Sequence, residues 1–158
     1  MPEALTARPI GTGDWSRIAE LEQAAYEPLG LSEGRNALET WGALSPETCF
    51  VVGEPVQAYV LALPFRHGDY PALGQPSTTS SDNLHLHDLC VAPELRRTGQ
   101  GRRLVDHLTT VAVAAGYRRI SLIALSGTSP FWSAQGFGPA AAVPVGYGDD
   151  ARYLTKVL

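Results

Sequence analysis

Four of the chain's twelve basic residues, Arg96, Arg97, Arg102 and Arg103, fall within eight positions, and Gly99 and Gly101 lie between the two pairs. Glycines leave the backbone bare, so a bulky anion can approach the N–H groups that the start of a helix leaves unpaired, where the helix dipole also favours negative charge. The arginines add cationic forks suited to phosphate oxygens. A phosphorylated ligand is therefore the natural occupant. Two familiar phosphate loops do not fit the spacing. A P-loop needs a lysine directly after its second glycine, and none follows here. A dinucleotide fingerprint needs Gly or Ala three residues after Gly101, where the chain has Leu104.

Just before this cradle stand His85 and His87, two residues apart. Residues 84–91 are rich in strand formers, so strict alternation puts His85, His87, Leu89 and Val91 on one face and Leu86, Asp88 and Cys90 on the other. A His-x-His pair on a strand can hold a metal, but with Asp88 turned away no further ligand has a recognisable spacing, and no metal is expected. A base or hydrogen-bonding role is one reading of the pair. Two histidines that satisfy a packing and polar demand beside the core are the other. Cys49 and Cys90 lack metal or redox spacing and read as buried free thiols. There is no Gly-x-Ser-x-Gly, so a serine hydrolase finds no support.

The elements that must position these residues follow from periodicity and punctuation. Residues 3–10 read as a strand, ended by Gly11 and Gly13. Asp14 can cap a helix whose apolar stripe is Trp15, Ile18, Leu21 and Ala25, with Arg17, Glu20 and Glu22 outside and Pro28 and Gly30 at its end. A second helix is expected from an N-cap at Ser32 through Leu38, Trp41 and Leu44. Residues 48–53 and 56–65 form an antiparallel hairpin across Glu54-Pro55. Residues 66–83 lose all periodicity and make a long loop, of the kind that closes over sites. After the cradle, Leu104, Val105, Leu108, Val111, Ala112 and Ala115 mark a helix ended by Gly116. Residues 119–125 then give a strand parallel to the one before the cradle, because a helical crossover intervenes. A short helical segment over 126–135 and closing strands over 140–145 and 151–158, joined by a turn at 146–150, complete the order.

Length and composition fit one domain over residues 1–158, with 44% hydrophobic residues and no apolar run long enough for a membrane helix. A cytoplasmic setting without membrane or nucleic-acid partners is expected, since the net charge is −4. That charge is uneven. Residues 1–83 carry eleven acidic and four basic side chains, and residues 84–158 carry five acidic and eight basic. The halves suit, respectively, a cationic amine and an anionic phosphate ligand, although solvated surface charge explains them equally well.

Taken together, Arg96-Arg97-Thr98-Gly99-Gln100-Gly101, the preceding Leu89-Cys90-Val91-Ala92-Pro93-Glu94, and Phe131-Trp132-x-x-x-Gly136-Phe137 resemble the acyl-CoA signature and the aromatic-x-x-x-Gly-Phe element of the GNAT N-acetyltransferase superfamily. The resemblance implies an α/β (α+β) fold with a mixed, mostly antiparallel sheet of six or seven strands, whose central parallel pair is joined by the CoA-binding helix. It implies acetyl-CoA as co-substrate and direct acetyl transfer to a primary amine on a small molecule or peptide, with a homodimer left open. A non-catalytic acyl-CoA sensor of the same fold is the alternative. By this resemblance Leu89, Cys90 and Val91 pair with the pantetheine arm, and Arg96, Arg97, Thr98, Gly99, Gln100, Gly101 and Arg102 hold the pyrophosphate. Phe131 and Trp132 border the thioester. His85, at a strand position where some members carry a glutamate base, is preferred over His87 as the base. Many members carry a tyrosine acid four residues before the Gly-Phe pair. Here that residue is Trp132, whose indole is no usable acid, so Tyr147 is the expected substitute donor.

Overall fold

The computed structural model describes residues 6–158, and the start of the strand expected over 3–10 lies outside them. The elements are β1 (Ala7–Pro9), α1 (Trp15–Tyr26), α2 (Arg35–Leu44), β2 (Phe50–Val52), β3 (Ala58–Pro64), β4 (Asn83–Val91), α3 (Gln100–Ala114), β5 (Arg119–Ala124), α4 (Ser129–Ala134), β6 (Gly138–Pro139) and β7 (Arg152–Val157). They build one seven-stranded sheet in the order β1-β2-β3-β4-β5-β7-β6. Among the described residues, only β4 and β5 run parallel, and α3 is their crossover. This is the mixed sheet with a central parallel pair that the sequence predicts.

Helices cover both faces, as a sheet with two apolar faces requires. On one side Leu104, Val105, Leu108 and Ala112 of α3 pack on Val60, Leu84, Leu86, Ile120 and Leu122. On the other, Ile18 and Leu21 of α1 and Leu38 and Trp41 of α2 pack on Val51, Tyr59, Leu61 and Leu63. Burying each such large side chain contributes about 1.5–3 kcal/mol, which offsets the entropy of ordering the chain.

A β-bulge in β4 decides where the site side chains point. Leu61 pairs with Asp88 and Ala62 with Leu86, so His87 has no partner residue on β3. One extra residue flips the alternation beyond it. Leu84 and Leu86 before the bulge, and Leu89 and Val91 after it, all join the α3 side. His87 stacks on Trp41, Asp88 meets Tyr59, and Cys90 packs among the α1–α2 residues. The expectation that the histidines share a face with Leu89 and Val91, with Asp88 turned away, is therefore corrected: the bulge brings His87 and Asp88 to the same side.

The same region opens the sheet. Parallel pairing covers Asn83↔Arg119 to Leu86↔Leu122 and stops there. Beyond it β4 stays with β3 through Val91, while β5 follows β7 through Ala124. The two central strands part in a wedge.

Several local expectations change for identifiable reasons. Glu22 is buried, not outside, because its carboxylate accepts from Ser32 Oγ and Glu33 N, both at 2.6 Å. That bond also takes Ser32 out of the N-cap role, and α2 begins after Gly34 at φ 87. The strand expected over 140–145 does not form: pairing with β7 is confined to Gly138–Pro139 and the bond from Ala140 N to Tyr153 O, and Pro144 has no N–H to continue a ladder. In its place the hydroxyl of Tyr70 donates to Val143 O (3.2 Å) and accepts from Val145 N (2.8 Å). The loop over 66–82 is anchored by its own contacts: Tyr70 packs on Tyr147 and Tyr153, and Gly74 N donates to Glu33 Oε1 at 2.6 Å. Both cysteines are free and buried.

Candidate active site

The wedge between β4 and β5 is the mouth of a cleft of about 710 Å³. It runs from the turn before α3, past the open edge of β4, to the loops that follow α1, β3 and β6. Of the residues read from the sequence as catalytic or as parts of the cradle, all but His85, Thr98 and Arg103 border it.

At one end lies the anion cradle. Arg97 takes φ 66 and Gly99 φ 87, so the turn winds left-handed before α3 begins. This suits glycine and is uncommon for arginine. The first helical carbonyl partner is used by Arg103, whose N–H donates to Gly99 O at 3.0 Å. The N–H groups of Gln100, Gly101 and Arg102 lie in the first turn, ahead of any intrahelical carbonyl, beside the side chains of Arg96, Arg97 and Arg102. Gly101 faces Phe131 and Val91: a Cβ there would make ordinary contact, 3.4 Å from Phe131 Cζ and 3.5 Å from Val91 Cγ2, so only a side chain longer than alanine's would intrude on the turn. Thr98 turns its hydroxyl back to Leu95 O, so only its backbone belongs to the cradle.

In the middle, Leu89, Cys90 and Val91 pair with Val60, Tyr59 and Ala58 on one edge and have no strand on the other. Their second edge can accept an extended ligand as an added strand. The Cys90 thiol is not part of this edge: it faces Leu21 O, and burial pushes its pKa up to about 12. Trp132 is buried edge-on against Phe131 and Phe137, giving the cleft an aromatic wall.

The far end holds groups that spacing did not reveal. Glu33 Oε2 meets His87 Nε2 at 2.8 Å, with the two side chains only 4% and 1% exposed. Glu33 Oε1 accepts from Trp41 Nε1 at 3.0 Å as well as from Gly74 N. Burial pushes the Glu33 carboxyl up, but the bonds from His87, Gly74 and Trp41 outweigh it and leave its pKa below the usual value. An ionised Glu33 makes Nε2 of His87 the N–H donor. In the neutral imidazole, Nδ1 of His87, which is buried without a protein partner, is then the lone-pair acceptor. Beside it, Asp88 Oδ2 accepts from Tyr59 Oη at 2.7 Å while Oδ1 has no partner. Burial lifts the Asp88 carboxyl to about 6, against the pull of His87, Tyr59 and Tyr26. Tyr26 donates to Leu89 O at 3.0 Å.

The two other side chains read as catalytic are engaged elsewhere. His85 is buried off the cleft, with Nδ1 3.0 Å from Ser121 Oγ, which also accepts from Asn83 Nδ2 at 2.8 Å. Burial, helped by His87, lowers its pKa to about 3. Tyr147 borders the cleft, but its hydroxyl donates to Pro71 O at 2.6 Å and burial raises its pKa. Glu22, Glu33, Asp88 and Tyr26 were not foreseen at the site. For the three carboxylates the only sequence signal was a charge at a position where burial would be costly, which no pattern of spacing reports, and Tyr26 carried none.

The model of the acetyltransferase (GNAT) family matches residues 15–137. No curated protein matches the sequence. Among solved structures, the fold is similar to the loading GNATL domain of CurA from Lyngbya majuscula, at 14% identity over 98% of each chain and a TM-score of 0.83. It is similar to Ard1 from Thermoplasma volcanium, at 16% identity over 99% of each chain and a TM-score of 0.79. N-acetylglutamate synthase from Neisseria gonorrhoeae, complexed with coenzyme A and N-acetyl-glutamate, gives 20% identity and a TM-score of 0.75, with all of this chain covering 36% of that one. With a family match that spans the first helix, the cradle and the Gly136-Phe137 pair, the chain belongs to the acetyltransferase (GNAT) family.

Proposed function

We propose that the protein transfers an acetyl group from acetyl-CoA directly to a primary amine in the wedge between β4 and β5. The observation that carries this reading is the meeting, in one cleft, of the cradle at Arg97–Arg102 with the Glu33–His87 pair where the central strands part. The pyrophosphate sits on the N–H groups at the start of α3, and Arg96, Arg97 and Arg102 supply the counter-charge. The pantetheine amides pair with the free edge of Leu89 to Val91. Phe131 and Trp132 wall the cleft beside the thioester.

Among the candidate bases we choose His87 over His85. Its Nδ1 is unpartnered and its Nε2–H is fixed by Glu33, whereas His85 is enclosed and resists protonation down to about pH 3. Glu22 holds the backbone of Glu33, and Glu33 holds the imidazole, so the tautomer is set before substrate arrives. His87 takes one proton from the ammonium group. The neutral amine nitrogen attacks the thioester carbon, a C–N bond forms, and the C–S bond breaks. The amide nitrogen loses its second proton to solvent, and the leaving thiolate is protonated by the imidazolium. A thiol of pKa about 8.5 leaves without a dedicated acid. Tyr147, with its proton committed to Pro71 O, is assigned to clamping the 66–82 loop over the acceptor end.

The test is thiol release from acetyl-CoA with a panel of amino acids, polyamines, arylalkylamines and peptides. Turnover with any of them, accompanied by the acetylated amine in the mass spectrum, supports transfer. Acetyl-CoA binding without release across the whole panel would make the protein a sensor.

A further inference from the structure

The acceptor end of the cleft is lined by Ala25, Tyr26, Leu29, Leu31, Leu73 and Tyr147. Leu29 is 61% exposed, an apolar side chain left at the surface beside the cleft. The charged or titratable groups added to this lining are Glu33, His87 and Asp88. Among the described residues, the arginines that border the cleft are Arg96, Arg97 and Arg102, all in the turn or first helical turn of the cradle, and no lysine borders it. The two ends therefore differ in sign.

Two acceptors in this region have no donor. Asp88 Oδ1 and His87 Nδ1 are buried, belong to adjacent residues of the bulge, and find no protein partner. A buried unpaired acceptor costs about 1–3 kcal/mol, and such groups in a folded protein call for a ligand or a water to complete them. An ammonium group carries three donors and a positive charge, which matches an unpaired carboxylate oxygen and an unpaired imidazole nitrogen on adjacent residues. A carboxylate on the same substrate has no counter-ion at this end. It would also stand close to Glu33, whose pKa is held down, and to Asp88, and like charges brought together out of water repel.

We infer that the acceptor is a small primary amine with an apolar body and no carboxylate beside its amino group, bound with its ammonium between Asp88 and His87 and its body against Leu29, Leu31 and Leu73. This rests on the acetyl-transfer reading above and narrows it. Asp88 is then the counter-ion of the substrate, and His87 the group that deprotonates it.

Matched trios test the class while holding the apolar body constant: phenethylamine, phenylalaninamide and phenylalanine, and isopentylamine, leucinamide and leucine. The expected result is thiol release with the amine and the amide of at least one trio, at a kcat/KM at least about 100-fold above that of the matching amino acid. Asp88→Asn should raise the KM for the amine at least about tenfold and leave the acetyl-CoA Kd unchanged. Equal turnover of amino acid and amine, or turnover confined to polyamines and carboxylate-bearing acceptors, overturns the inference and leaves acetyl transfer standing. An unchanged amine KM in Asp88→Asn also overturns it. No release with any amine at all overturns the transfer reading itself.

Discussion

Replacing His85 with Gln should remove a large part of the protein's acid sensitivity, because the enclosed imidazole refuses a proton that the unfolded chain accepts. A free histidine titrates near 6.5, and burial holds His85 at about 3 in the fold. Between those pH values the unfolded state binds one more proton than the native state, so stability falls as pH falls. The loss begins at about 6.5, proceeds at about 1.4 kcal/mol per pH unit, and ends near 3. At pH 4.5 it amounts to about 2.7 kcal/mol. Asp88 acts with the opposite sign. Its native pKa of about 6 lies above the ordinary 3.8, so it adds stability as pH falls through that window and masks His85 in the wild-type profile alone. The difference between wild type and His85→Gln cancels the Asp88 contribution, since His85 is not among the groups that shift Asp88. Gln is chosen because its amide can still meet Ser121 Oγ. Urea unfolding of both proteins at pH 7 and pH 4.5 measures the difference. The variant should gain about 2–3 kcal/mol on wild type between the two. A difference that stays constant with pH would refute the enclosed, neutral His85.

Gly101→Asp should weaken CoA binding at least about 100-fold by calorimetry, roughly 2.7 kcal/mol, because it sets a carboxylate at the helix start where the pyrophosphate would lie; Arg97→Ala should cost less. Unchanged affinity in the glycine variant would remove the cradle. His87→Gln should lower kcat about 100-fold or more at an unchanged acetyl-CoA Kd, and a wild-type kcat would strike His87 from the mechanism. Tyr147→Phe loses the bond to Pro71 O and should cost about 1 kcal/mol of stability, with kcat within about twofold of wild type. A tenfold fall in kcat, about 1.4 kcal/mol of barrier, would reinstate Tyr147 as the proton donor.

What the sequence made legible is what local chemistry determines. The turn that opens α3 could be read because Gly99 acts through backbone within one turn, and the α3 stripe because a helix repeats its own pattern. The side chains at the acceptor end could not be read this way. One unpaired residue, His87, reverses the facing of Asp88 and Cys90, and a bulge is set by pairing with β3 rather than by the residues of β4. Glu33 reaches the site because Glu22, Trp41 and Gly74 converge on the segment between α1 and α2 from three separate elements. Residues 140–145 are an apolar run that reads as a strand, but Val143 and Val145 meet the hydroxyl of Tyr70 instead of a ladder.

The most direct measurement is a crystal structure with coenzyme A. Its pyrophosphate should lie on the N–H groups of Gln100 to Arg102, its pantetheine arm along Leu89 to Val91, and its sulfur at the parting of β4 and β5 beside His87 and Asp88. Coenzyme A bound outside this wedge, or with its sulfur directed away from the Glu33–His87 pair, would contradict the account.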